Sequence, residues 1–120
     1  MRHAREQAER QGRRGEAWAA WYLRLTGWRI LGRRMKTARG EIDIVARRGR
    51  TVCFVEVKWR ASAAGLEHAI DAGRLRRVAA AAQVLAPRYA QAGETVRIDV
   101  FLLAPWCWPR RIVNAWQPGV

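Results

Sequence analysis

The chain has 120 residues, half of them apolar and about a quarter charged, which suits one globular domain with a single core and is too short for two. Lys and Arg number 23 against 10 Asp and Glu, a formal net charge of +13 that favours a polyanionic partner, nucleic acid before membrane. No apolar run spans a bilayer, no apolar leader follows Met1, and two cysteines make no disulfide framework, so a cytoplasmic protein with no membrane partner is expected.

Residues 1–13 are polar and Arg-rich and read as a basic N-terminal arm or helix extension, ahead of a single domain over residues 14–120. A helix is predicted over residues 14–26, stopped by Gly27. With about 100° per residue, Glu16 shares a small-residue face with Ala19, Ala20 and Leu23. Trp18, Trp21 and Leu25 lie on the opposite face, as core or subunit-contact residues. A short strand follows over residues 28–31, then an Arg-rich turn to Arg39. Residues 40–47 and Thr51–Trp59 alternate as two strands of a hairpin around Gly49. Residues 60–71 read as a loop and Ala72–Tyr89 as a helix ending near Pro87. Residues 96–104 and 110–116 supply the last two strands. Trp106 and Trp108, beside Pro105 and Pro109, are expected to cap the core. The order is α/β, helix–strand–strand–strand–helix–strand–strand, and predicts a small mixed sheet flanked by helices.

Chemistry concentrates in the hairpin. No His or Cys pair has zinc-ligand spacing, Ser62 lacks a nucleophile-elbow setting, and no phosphate-binding Gly-rich loop is present. Neither cysteine and neither histidine is assigned a role. Strand alternation puts Glu41, Asp43 and Val45 on one face and Phe54, Glu56 and Lys58 on one face of the next strand. With Arg48-Gly49 as the turn, Asp43 lies beside Phe54 with Glu56 one diagonal away. With Gly49-Arg50 as the turn, Asp43 faces Glu56 and Glu41 faces Lys58. Both registers gather Asp43, Glu56 and Lys58 on one face. Neighbouring carboxylates among Val and Ile repel each other, and a hard divalent cation relieves that repulsion. Mg²⁺ or Mn²⁺ is therefore the expected cofactor. A solvated Lys–Glu ladder is the plain alternative, but Val45 and Phe54 share the face with the charges.

The joint pattern resembles the YraN-like family of small bacterial proteins. Its carriers are Gly15-Glu16, Ala19, Tyr22-Leu23, Gly27-Trp28, Gly40-Glu41-Ile42-Asp43, Phe54-Val55-Glu56-Val57-Lys58 with Arg60, Arg97 to Asp99, and Asn114-Ala115. The family is similar to the PD-(D/E)xK nucleases, which include restriction endonucleases and Holliday-junction resolvases. The resemblance implies a restriction endonuclease-like core, with Asp43 as the motif Asp, Glu56 as the following acid, Lys58 as the motif Lys and Glu16 as the extra helix-one acid. Ile42 stands where the nuclease motif has Pro, as is usual in this family. Arg74 stands where a Lys is common early in the second helix.

On that footing Asp43 and Glu56 are expected to hold the metal, with the Val57 carbonyl as a further ligand and Glu16 acting directly or through water. Lys58 is expected to orient water or stabilise the transition state, kept protonated by the carboxylates around it. Arg39, Arg60, Arg74 and Arg77 are expected to grip backbone phosphates. The implied activity is metal-dependent cleavage of DNA, including branched or single-stranded DNA, with DNA favoured over RNA. Two rival readings are a non-catalytic nucleic-acid binder on the same fold, and a structural adaptor that forms a homodimer through Trp18 and Trp21.

Overall fold

The computed structural model describes residues 2–60, 72–105 and 108–115. The elements run α1 (Arg2–Leu25), β1 (Arg29–Thr37), β2 (Gly40–Arg48), β3 (Thr51–Trp59), α2 (Ala72–Tyr89), β4 (Thr95–Leu103) and β5 (Arg110–Ile112). The five strands form one sheet in the order β1-β2-β3-β4-β5. All neighbours are antiparallel except β3 and β4, which run parallel on either side of the α2 connection. This is the α/β fold expected, a mixed sheet with one of the described helices on each face, consistent with a small restriction endonuclease-like core. The loop predicted over residues 60–71 lies, apart from Arg60, outside the described residues, as do His68, Trp106, Cys107 and Trp116.

Helix α1 begins at Arg2, well ahead of the start predicted at residue 14, and its end is fixed by local chemistry. Gly27 adopts a left-handed φ of 92°, Trp28 N–H donates to Leu23 O at 2.9 Å and Gly27 N–H to Arg24 O at 3.2 Å. These two bonds make a Schellman motif, which only a residue free of a Cβ closes cheaply. The Ala19, Ala20 and Leu23 face is fully buried against Ile44, Ala46, Cys53, Val55 and Phe101. Small residues let the helix approach the sheet closely. Trp18 and Trp21 are instead 45 % and 57 % exposed and are not core. Helix α2 covers the other face, packing Val78, Ala81 and Leu85 on Val45, Val52, Phe54 and Ile98. It runs two residues past Pro87 to Tyr89.

Strand β1 corrects the predicted turn. The Arg-rich segment is a nine-residue strand paired with β2 from Arg29↔Arg47 to Thr37↔Gly40, with an irregularity between Ile30 and Gly32. It is an edge strand, so its cationic side chains face water while Leu31 and Met35 pack inward. Charges on an edge block pairing with another sheet, and in a sequence they read as a loop. The β2–β3 hairpin takes the second of the two registers, with Arg48↔Thr51 closing on a Gly49-Arg50 turn and Gly49 at φ 60°.

Asp99 organises the far end of the sheet. It is fully buried and accepts hydrogen bonds from Arg97 at 3.0 Å, Arg111 at 2.7 Å and the Asn114 backbone N–H at 2.9 Å. Burial works to raise its carboxyl, but those donors outweigh it and hold Asp99 below the usual carboxylate range. The guanidinium groups of Arg48, Arg111 and Arg97 lie 4.6, 5.2 and 5.4 Å from the Trp28 ring centre. The family-like residues Arg97, Asp99 and Asn114 thus act together to fasten β4 to the segment after β5. Trp108 is 89 % exposed and caps nothing.

Candidate active site at a fork in the sheet

The pairing of β2 with β3 ends at Ile44↔Val55, whereas β2 stays paired with β1 as far as Gly40. The two strands therefore part at Asp43. A ladder hydrogen bond is replaced there by a side chain, as Val57 N–H donates to Asp43 Oδ2 at 2.8 Å. Ile42 accordingly packs in the α2-side cluster with Val45, and not with Ile44 and Ala46 as strict alternation requires. The fork leaves a cavity of about 420 Å³ lined by Gly40, Glu41, Asp43, Glu56, Arg74, Arg77 and Val78. Gly40 fits the approach of α2 to this mouth, because a Cβ there would lie 3.1 Å from the Arg77 carbonyl oxygen.

Asp43, Glu56 and Lys58 are brought together. Lys58 Nζ lies 2.6 Å from Glu56 Oε1, with both side chains buried. Burial, and after it the neighbouring Glu56 charge, push Asp43 from 3.8 up to about 7. Its bond from Val57 N–H opposes the rise, Glu16 adds to it, and Lys58 relieves it only weakly. Among the described residues Asp43 has no ion-pair partner. Lys58 departs from expectation: burial lowers its pKa, and the contact with Glu56 only partly restores it. A lysine whose ammonium is already disfavoured gives up or shares a proton more readily than a solvated one.

The other predicted residues are spread around this centre. Glu16 is buried and accepts hydrogen bonds from Arg33 Nε and Arg34 Nε, each at 3.2 Å, so its carboxylate is engaged by cations. Glu41 is exposed and lines the cavity, but it does not face Lys58, because the strands have already parted. Arg74 Nε lies 3.6 Å from Glu56 Oε1, and Arg77 lines the same cavity. Arg39 is exposed in the β1–β2 turn. Arg60 turns onto the backbone, its guanidinium donating to Trp59 O at 2.9 Å. Asp43 and Glu56 are the two carboxylates that could share a cation. Among the described residues no group of three or more His, Cys, Asp or Glu side chains is placed to hold a metal ion. Any further ligands would be backbone, water or substrate oxygens, as hard cations commonly accept.

Arg33 and Arg34 escaped sequence reading because nothing in an Arg-rich run marks two of its members as partners of a helix carboxylate. Cys53 is buried beside Asp99, and burial first, then that charge, push its thiol up to about 12, which leaves it inert. Among the described residues no helix is long and apolar enough to cross a membrane.

A family model described as uncharacterised protein family UPF0102 matches residues 15–103. A UPF0102 protein of Sphingopyxis alaskensis is 61 % identical over 114 residues, covering 95 % of this chain and 98 % of the relative. One from Rhizorhabdus wittichii is 63 % identical over 113 residues, covering 94 % and 96 %. A more distant one, from Mesorhizobium japonicum, is 46 % identical over 113 residues, covering 93 % and 90 %.

Proposed function

The chain belongs to the UPF0102 family, the YraN family of the resemblance, and within it we propose a metal-dependent endonuclease-like protein that binds nucleic acid, DNA in preference to RNA, and hydrolyses its phosphodiester bonds. The observation that carries the proposal is Asp43: a carboxylate at a fork between strands, repelled by Glu56, with one backbone donor and no cation of its own among the described residues. A site built only for stability has no use for that repulsion. A divalent Mg²⁺ or Mn²⁺ ion shared by Asp43 and Glu56 fits it, and when bound such an ion supplies Lewis-acid polarisation of a phosphate and acidification of water.

The chain's own residues do the remaining work. Val57 N–H fixes the Asp43 carboxylate by holding Oδ2, and Asp43 lines the cavity. Lys58, buried beside Glu56, places a proton donor near the scissile phosphate and stabilises charge as it builds up. Arg74 and Arg77 face the cavity from α2 and steer backbone phosphates into it without reading bases.

The test is cleavage of branched, flapped and single-stranded DNA with Mn²⁺ or Mg²⁺. Asp43→Ala and Lys58→Ala are expected to lower cleavage by at least about 100-fold while leaving binding within a few-fold. A wild-type protein that binds these substrates and cuts none of them with either metal removes catalysis. The second reading, a non-catalytic binder, is favoured by one observation: Glu56 already has Lys58 and Arg74 as counter-charges. It predicts unchanged affinity with and without divalent metal.

A further inference from the structure

We infer that Arg33 and Arg34 form a phosphate-binding fork on the open edge of the sheet, aligned by Glu16, that grips the nucleic-acid backbone beside the cleavage site. The inference rests on the nucleic-acid reading above and adds a binding element to it. Successive residues of a regular strand point to opposite faces. Arg33 and Arg34 are successive, yet both bring Nε to the same carboxylate, and Arg34 Nε lies 3.2 Å from each Glu16 oxygen. The device that breaks the alternation is on the backbone: Arg34 has φ 52°, a left-handed conformation that a bulky side chain seldom takes. Backbone strain of this kind persists only where surrounding contacts enforce it, and it gathers at functional sites.

The way the guanidinium groups are used points to a ligand. Each spends its Nε edge on Glu16, and among the side chains described, which begin at Arg14, their terminal nitrogens make no hydrogen bond. The side chains are 37 % and 42 % exposed, while the Glu16 side chain is 7 % exposed. One buried carboxylate thus orients two half-exposed cations and leaves a surplus positive charge whose planar donors meet no other described side chain. Guanidinium donors of that geometry match phosphate oxygens. The place is also right. Arg33↔Ile44 and Met35↔Ile42 bracket the position across from Asp43, and Asp43 feels the Glu16 charge. β1 is an edge strand, so a nucleic-acid backbone can run along it without displacing another strand of the sheet. Glu16 is on this account a positioning residue for the two arginines.

The experiment is equilibrium binding of the full chain to a fluorescent branched DNA and to its single strand, in EDTA, across a salt series. Arg34→Gly is informative because glycine adopts the left-handed backbone freely and removes only the side chain. Arg33→Gln and Arg34→Gly are each expected to weaken binding about 3- to 10-fold and to reduce the magnitude of the salt slope by about one. Lys36→Gln, at an exposed cation of the same strand, is expected to change less than either. Wild-type binding with both arginine variants unchanged in affinity and slope, or with Lys36→Gln costing as much, overturns the fork and leaves the nucleic-acid reading standing. Failure of the wild type to bind DNA or RNA at any salt overturns both.

Discussion

A carboxylate that prefers its proton near neutral pH weakens the fold that contains it, and Asp43 is such a group. With a folded pKa of about 7 against an ordinary value of 3.8, the folded chain binds more protons than the unfolded chain between those limits. Stability from this group is therefore fully present only below about pH 4 and is lost as pH rises to about 7. Asp43→Asn keeps an oxygen to accept the Val57 N–H and discards the charge. It is expected to raise the melting temperature at pH 8 by on the order of 5 °C, with the difference vanishing near pH 4. Thermal scans of both proteins at the two pH values check this, and equal shifts at both remove the electrostatic explanation. Asp43, Glu56 and Lys58 are legible in the sequence because either hairpin register brings them near one another; the break in alternation at Ile42, where the strands part, is not. The Glu16 partnership is not, since it depends on a positive φ at Arg34, where no Gly or Asn announces one. The direction of the Lys58 shift is also hidden, because the depth of its burial is set by the packing of the sheet and not by the hairpin alone.

Elements are legible where a period of apolar residues runs uninterrupted. The helix α2 and the strands β2, β3 and β4 follow their patterns closely, because each packs an apolar face on the core. Strand β1 defeats that logic: an edge strand needs only a few inward residues, and Arg33, Arg34 and Lys36 make the rest look like loop. Strand β5 is only three residues long and is held by chemistry more than by pattern. Its anchor is Asp99, so Asp99→Asn leaves Arg97 and Arg111 without their counter-charge while keeping the steric shape. The expected cost is on the order of 3 kcal/mol in denaturant unfolding, as for other buried pairs broken on one side. Amide exchange is expected to quicken first in β5 and the residues after it. A loss below about 0.5 kcal/mol would show the cluster to be ornamental.

The whole molecule carries +13, and its few acids include a set drawn inward at one fork. On the proposed function, that arrangement draws a polyanion generally and leaves one place for a divalent cation. Binding to nucleic acid is accordingly expected to fall steeply with salt, log K losing about 0.9 per log unit for each phosphate neutralised on duplex DNA. The exposed Trp18 and Trp21 on α1 are 6.2 Å apart edge to face and belong to a different surface. A partner held there would resist salt, and concentration-dependent sedimentation of the wild type against a Trp18→Ser, Trp21→Ser double variant separates that association from phosphate binding. The most direct measurement is anomalous diffraction from a crystal soaked in Mn²⁺. One strong peak is expected within bonding distance of both Asp43 and Glu56, absent from the Asp43→Asn protein. Crystals with that fork accessible to solvent and no manganese beside either carboxylate would contradict the shared-cation site.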